Sequence, residues 1–210
     1  MRPRNRPHIL VRTYESGDQR MKRDLFITEL LRQWQGGDLT ALDQIITELY
    51  DFLHRRVHAL LAKEKNRGFI DTTDLLHDLY IQLRRLPTVP ANNTAHFIRT
   101  SAKIIRNLLV NAARRRKAER HGGRHLFVTL TATEGIADER EQTLDLLILD
   151  DILTALEGMS PRVVQIAELT IFFRMPQPEI AETLAVSRST VQRDWIVAKR
   201  LITSRYRGEA

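Results

Sequence analysis

The chain has 210 residues, a formal charge of +7, an isoelectric point near 10.1 and no cysteine. That balance points to a polyanionic partner, and the missing thiols exclude disulfide frameworks, thiolate nucleophiles and cysteine-based zinc sites. No apolar run reaches the length that crosses a bilayer, and the arginine-rich N-terminus lacks an apolar signal core, so the expectation is a soluble cytoplasmic protein with no membrane partner.

Residues 1–23, with Arg2, Arg4 and Arg6, are polar and without period, which predicts a flexible basic arm. A first helix is expected over about Asp24 to Gln35, with Leu25, Ile27, Leu30, Leu31 and Trp34 as its apolar positions. Gly36-Gly37 ends it, and Asp38 caps a long second helix carrying Leu42, Ile45, Ile46, Leu49, Phe52, Leu53, Val57, Leu60 and Leu61 at helical spacing. After Gly68, Asp71 caps a third helix, with Leu75, Leu76, Leu79, Tyr80 and Leu83 on one side. Pro87 and Pro90 break the chain, and Thr94 is expected to cap a fourth helix through Phe97, Ile98, Ala102, Ile105, Leu108 and Leu109. Between about His121 and Glu141 the periodicity fails. A short FVTL run there has strand composition but no evident partner, so 121–143 reads as a linker.

Helical pattern resumes near Leu144 and runs to Gly158. Ser160-Pro161 then opens a helix bearing Val163, Val164, Ile166, Ala167 and Leu169, with proline at the first helical position, where its missing N–H costs nothing. Pro176 and Pro178 stop that helix and start a short one in which Ile180, Ala181 and Leu184 face inward. Ser187 caps a last helix whose Val191, Trp195 and Ala198 repeat at helical spacing. Arg188, Ser189, Thr190, Gln192, Arg193 and Lys199 then lie off that apolar stripe, and short polar and basic side chains opening a second helix are what a major groove accepts. The reading is therefore an all-α chain of two helical domains, 24–120 and 144–207, the second containing a helix-turn-helix.

Two further surfaces stand out. Lys103, Arg106, Arg114, Arg115, Arg116 and Lys117 crowd the fourth helix, a charge density suited to phosphates, and Asn107 and Asn111, one turn apart, suit base edges. The same cations also suit a helix C-terminus. On the third helix Asp71, Asp74 and Asp78 form an acidic stripe. Capping and the helix dipole account for the first two. Asp78 is left over and suits a protein partner with a basic groove. His54 and His58 are spaced i, i+4, but HRRVH lacks a metalloprotease glutamate and a third ligand, so no metal, cofactor or catalytic residue is expected.

Taken in order, DTTDLLHDLYIQLRR, HFIRTSAKIIRNLLVNAARRRKAER and MSPRVVQIAELTI through PEIAETLAVSRSTVQRDWIVAKRL resemble regions 2 and 4 of bacterial sigma factors, in the compact layout of the extracytoplasmic-function (ECF) class of the sigma-70 family. The resemblance implies a non-enzymatic subunit that brings core RNA polymerase to promoter DNA. It implies that Asp74, Leu75, His77, Asp78 and Gln82 dock on the clamp helices of the largest polymerase subunit, with the flap of the second-largest as a further contact. It assigns Asn92, Asn93, Arg99, Lys103, Arg106, Asn107, Asn111, Arg114, Arg115 and Arg116 to opening and reading the −10 element. Ser187, Arg188, Ser189, Thr190, Gln192, Arg193 and Lys199 fall to the −35 element. Asp194, which would repel phosphate, is expected to face away or to orient Arg193. An anti-sigma factor is left open as a partner. From the residues alone, a stand-alone helix-turn-helix repressor or activator, dimeric on a palindrome, remains the alternative.

Overall fold

Eight helices and one two-stranded hairpin make up the described residues of the computed structural model, which are 17–62, 70–86, 93–119, 126–130 and 142–208. In chain order they are α1 (Gly17–Gln35), α2 (Leu39–Ala62), α3 (Thr72–Arg84), α4 (Thr94–Glu119), β1 (Phe127–Leu130), β2 (Gln142–Asp145), α5 (Leu146–Glu157), α6 (Pro161–Ile171), α7 (Gln177–Leu184) and α8 (Arg188–Arg207). The architecture is all-α. None of the described helices is long and apolar enough to cross a membrane.

Local punctuation sets most boundaries. Gly37 takes φ +96, which only glycine tolerates cheaply, and turns the chain out of α1. Asp38 then accepts from the Thr40 N–H at 2.8 Å and from its hydroxyl at 2.7 Å, and these bonds hold its carboxyl below the usual range. Asp71 caps α3 by accepting from the Thr73 N–H at 2.7 Å, with the same downward effect. At α4 the cap is Asn93, whose side chain accepts from the His96 N–H at 2.8 Å, so the expected cap Thr94 is instead the first residue of the helix. Ser160 precedes Pro161 as expected but makes no side-chain capping bond.

Helix α1 begins at Gly17, so the expected arm is helical over 17–23, and residues 1–16 lie outside the described residues. Hydrophobic period could not show this, because Gly17 to Arg23 contain a single apolar side chain, Met21, and it is exposed. Leu25, expected on the buried face, is also exposed, whereas Ile27, Leu30, Leu31 and Trp34 are buried against α2 and α4. Trp34 meets Phe97 of α4 edge to face, with ring centroids 6.3 Å apart. Helix α3 closes this bundle by laying Leu75, Leu76, Leu79 and Leu83 onto α2 and α4.

The FVTL run does find a partner. β1 pairs antiparallel with β2, Phe127 opposite Asp145 and Leu130 opposite Gln142. The rest of the expected linker, 121–125 and 131–141, lies outside the described residues. Val128 and Leu144 face one another in register and are both buried, and β1 also touches α6. Asp145 ends β2 and caps α5, accepting from the Leu147 N–H at 2.8 Å, so α5 starts two residues after Leu144. α8 packs along α5, α6 and α7, with Trp195 and Val191 at its centre.

These two groups of helices do not stand apart. Helix α4 lies against α5, α6 and α7, and the buried residues form one continuous cluster. Phe52 of α2 also reaches Phe173, just beyond α6, with ring centroids 6.3 Å apart.

Candidate functional site

The acidic stripe survives folding as a surface. Asp74, His77, Asp78 and Gln82 are exposed along α3. Leu75 is the correction in this set. It is 2% exposed, because it belongs to the apolar stripe that fixes α3 to its neighbours, so it supports the face from beneath and offers a partner no contact. Beside the stripe, between α2 and α3, runs a groove of about 290 Å³ floored by Ile46, Leu53, Leu76 and Leu79 and rimmed by Asp43, Tyr50, His77 and Tyr80. The Tyr80 hydroxyl donates to Asp43 Oδ1 at 2.6 Å, and that acceptor pushes the phenol pKa up. His54 and His58, at metal-pair spacing in the sequence, stack on each other with centroids 6.1 Å apart, and Tyr50 continues the row.

Helix α4 separates its polar residues by direction. Lys103, Asn107, Asn111 and Arg115 recur every fourth position and are all exposed, forming one ridge. Arg99, Arg106 and Arg114 instead turn toward the C-terminal helices. Arg106 is 3% exposed and bonded throughout. Its Nε donates to Asp150 Oδ1 at 2.9 Å, one terminal nitrogen to Glu168 Oε1 at 2.8 Å, and the other to the Asp150 carbonyl at 2.9 Å and Thr154 Oγ1 at 2.8 Å. The sequence reading of Arg106 as a DNA-reading side chain therefore fails for this arrangement, since it is buried and each of its three nitrogens already donates to a neighbouring helix. Arg114 reaches Asp150 Oδ2 at 3.3 Å, Lys103 pairs with Glu157, and Arg99 donates weakly to the Thr183 carbonyl at 3.4 Å. Arg116 is half-buried, Asn93 is exposed at the cap, and Asn92 lies outside the described residues.

The carboxylates facing α4 were missed by sequence pattern, although a signal existed. Glu168 sits inside the apolar run Ile166-Ala167-Leu169 of α6, and Asp150 between Leu149 and Ile152 of α5. An acid within an apolar stripe demands a buried partner. Burial pushes the Glu168 carboxyl above its ordinary value, and the bond and charge of Arg106 offset only part of that.

Helix α8 presents the third surface. Ser187 Oγ accepts from the Thr190 N–H at 3.1 Å and exchanges hydroxyl bonds with Ser189 and Thr190 at 2.8 Å each. Ser187, Arg188, Ser189, Gln192 and Arg193 are exposed, while Thr190 and Lys199 are half-buried. Val191, Trp195 and Ala198 hold the opposite side in the core. Asp194 points inward, 5% exposed, where Arg162 Nε of α6 donates to it at 2.7 Å and Arg193 Nε at 3.4 Å. It is thereby withdrawn from the exposed side and leans Arg193 along the helix. The turn into α8 uses Ala185 in the left-handed region, φ 52, a conformation that costs a non-glycine residue about 1–2 kcal/mol.

An exposed acidic helix beside an apolar groove, a basic-and-amide ridge, and a capped polar helix end are three surfaces suited to binding. The sequence model of the ECF sigma factor family matches residues 25–207, which takes in all three. No curated protein and no solved structure gives a match.

Proposed function

Because the chain belongs to the ECF sigma factor family, a family of promoter-specificity factors that bind RNA polymerase, we propose that it directs core polymerase to −10 and −35 elements and opens the DNA between them. In this reading α3 docks on the polymerase clamp through Asp74, His77, Asp78 and Gln82, and the exposed ridge of α4 reads the −10 element. The start of α8 enters the major groove at −35. Phosphodiester chemistry belongs to the polymerase, and the sigma factor acts by binding energy alone. The observation that carries the reading is the coexistence of an acidic face on α3 with polar, cationic faces on α4 and α8. A stand-alone repressor needs the latter two and has no use for the first.

The acidic face gives the direct experiment. Asp78 is exposed, so Asp78→Lys leaves the fold intact and reverses the charge offered to a basic partner. It is expected to lower co-purification with core polymerase by at least tenfold, and unchanged recovery would remove α3 from the interface. For the −35 side, Arg193 is 69% exposed at its side chain and anchored by Asp194. Arg193→Ala is expected to cost about 1–3 kcal/mol on the preferred −35 sequence and little on random duplex. Equal losses on both, measured by fluorescence anisotropy, would make Arg193 a phosphate contact only.

A further inference from the structure

We propose that Asp194 is a positioning residue that joins two arginines from different helices, Arg162 of α6 and Arg193 of α8, into one fixed guanidinium pair. Arg193 is held to read a guanine edge, and Arg162 to grip a phosphate beside it. The proposal rests on the reading of α8 as the −35 surface. It adds α6 to that surface and gives a role to the one acid of α8.

The three side chains form a carboxylate shared by two cations. Asp194 is buried where α6 meets α8, and each of its oxygens accepts from a different arginine. Arg162 Nε donates to Oδ2 at 2.7 Å across 32 residues of chain, and Arg193 Nε donates to Oδ1 at 3.4 Å. Both arginines nevertheless keep more than half of their side-chain surface in solvent, 53% and 69%. Among the described residues, no protein group takes their terminal nitrogens. A guanidinium is planar, so a bond at Nε orients the plane and leaves the terminal fork free. That fork is the part that meets phosphate, or the O6 and N7 of guanine. Ser189 and Gln192 are exposed on the same stretch of α8 as Arg193.

Charge explains why the acid is there. Two guanidiniums held close to one another repel, and a long side chain loses rotamer freedom when it docks. A carboxylate between them offsets the repulsion and removes part of that freedom before DNA arrives. An asparagine of the same size would accept from one arginine and turn its own N–H groups toward the other. Asp194 would repel a phosphate if it faced out, but buried between two cations it presents only their positive forks.

The test uses the full chain and two readouts. In nitrogen-15 NMR, the Nε–H signals of Arg162 and Arg193 are expected to exchange slowly with water. Both should speed up in Asp194→Asn, which keeps the side-chain volume. Signals unchanged in that variant would overturn the shared carboxylate, whether or not the protein binds DNA. The second readout is fluorescence anisotropy on the duplex that wild type selects from a randomised pool, and on single-base changes of it. Asp194→Asn is expected to lower the preference for that duplex over random DNA about tenfold, through one G·C pair, while random binding holds. Changing that pair should weaken wild type about tenfold and Asp194→Asn hardly at all. Equal losses on every duplex, with a fall in Tm, would make Asp194 a merely structural acid and overturn the positioning role. Arg162→Gln places an amide nitrogen where Nε stood, so it keeps the bond to Asp194 and removes the charge. It should weaken all duplexes alike and reduce the slope of log affinity against log salt by about one phosphate contact. An unchanged slope would overturn the phosphate grip. Should wild type select no sequence, the −35 reading falls and takes the guanine role with it, while the NMR signals still judge the arginine pair.

Discussion

Arg106→Ala is expected to weaken the packing of α4 against α5 and α6 by about 3–5 kcal/mol, because it leaves Asp150 and Glu168 buried without a cation. The exposed pair Lys103–Glu157 is worth at most about 1 kcal/mol and cannot compensate. Arg106→Lys keeps the charge but has no fork to join Asp150, Glu168 and Thr154, so its loss should fall between wild type and alanine. Denaturant unfolding followed in parallel with hydrogen exchange on α5 and α6 reads the effect. A loss under 1 kcal/mol would show that the two carboxylates reach water without the arginine.

The same site has a pH signature whose sign follows from burial. The Glu168 carboxyl is pushed above its ordinary 4.5, chiefly by burial, so the packed form holds its proton more tightly than the unfolded chain. That contribution is complete below 4.5 and is lost as pH rises through the folded value. Wild type should therefore lose stability, relative to Glu168→Gln, as pH climbs through that window. Asp38 and Asp71 act in the opposite sense, since their lowered carboxyls contribute above the ordinary 3.8 and lose that contribution in acid. Comparing the two proteins cancels them. Identical pH profiles would mean that Glu168 is not buried in solution.

Trp195→Ala should have the largest effect on the C-terminal helices, about 3–5 kcal/mol and a fall in Tm on the order of 10 °C. Trp195 is 2% exposed at the centre of α8, where that helix meets α5, α6 and α7. The void would be too large for Val191 and Ala198 to fill by small shifts. Since α8 also carries Arg188, Gln192 and Arg193 on its exposed side, the proposed −35 binding should disappear together with the packing. Trp195→Phe, which leaves most of the volume, should lose much less of both. Full −35 affinity in the alanine variant would show that α8 is positioned from elsewhere.

Much of the helical framework was legible because it is written in short range. Asp38, Asp71 and Ser187 cap the helices they precede, and the Leu42-to-Leu60 period marks the buried side of α2. Capping bonds span two or three residues and a helical face repeats every three or four, so local sequence contains both. The polar face of α8 was legible for the same reason, as the complement of Val191, Trp195 and Ala198. Where local pattern was silent, the reading slipped. Gly17 to Arg23 join α1 with hardly an apolar residue to mark them, and FVTL pairs across residues 131–141.

What the sequence by itself determined about this protein is therefore an inventory: the helices among the described residues, the caps at Asp38, Asp71 and Ser187, most of the apolar sides, and the charges left over on each. The tertiary structure decided which leftover charges remain available. Lys103, Arg106 and Arg114 look alike in the sequence, yet Arg106 is enclosed by Asp150 and Glu168 from helices 44 and 62 residues onward, while Asn107 one position later faces out. One residue along a helix turns a side chain by roughly 100°, and only the approach of α5 and α6 says which direction becomes interior.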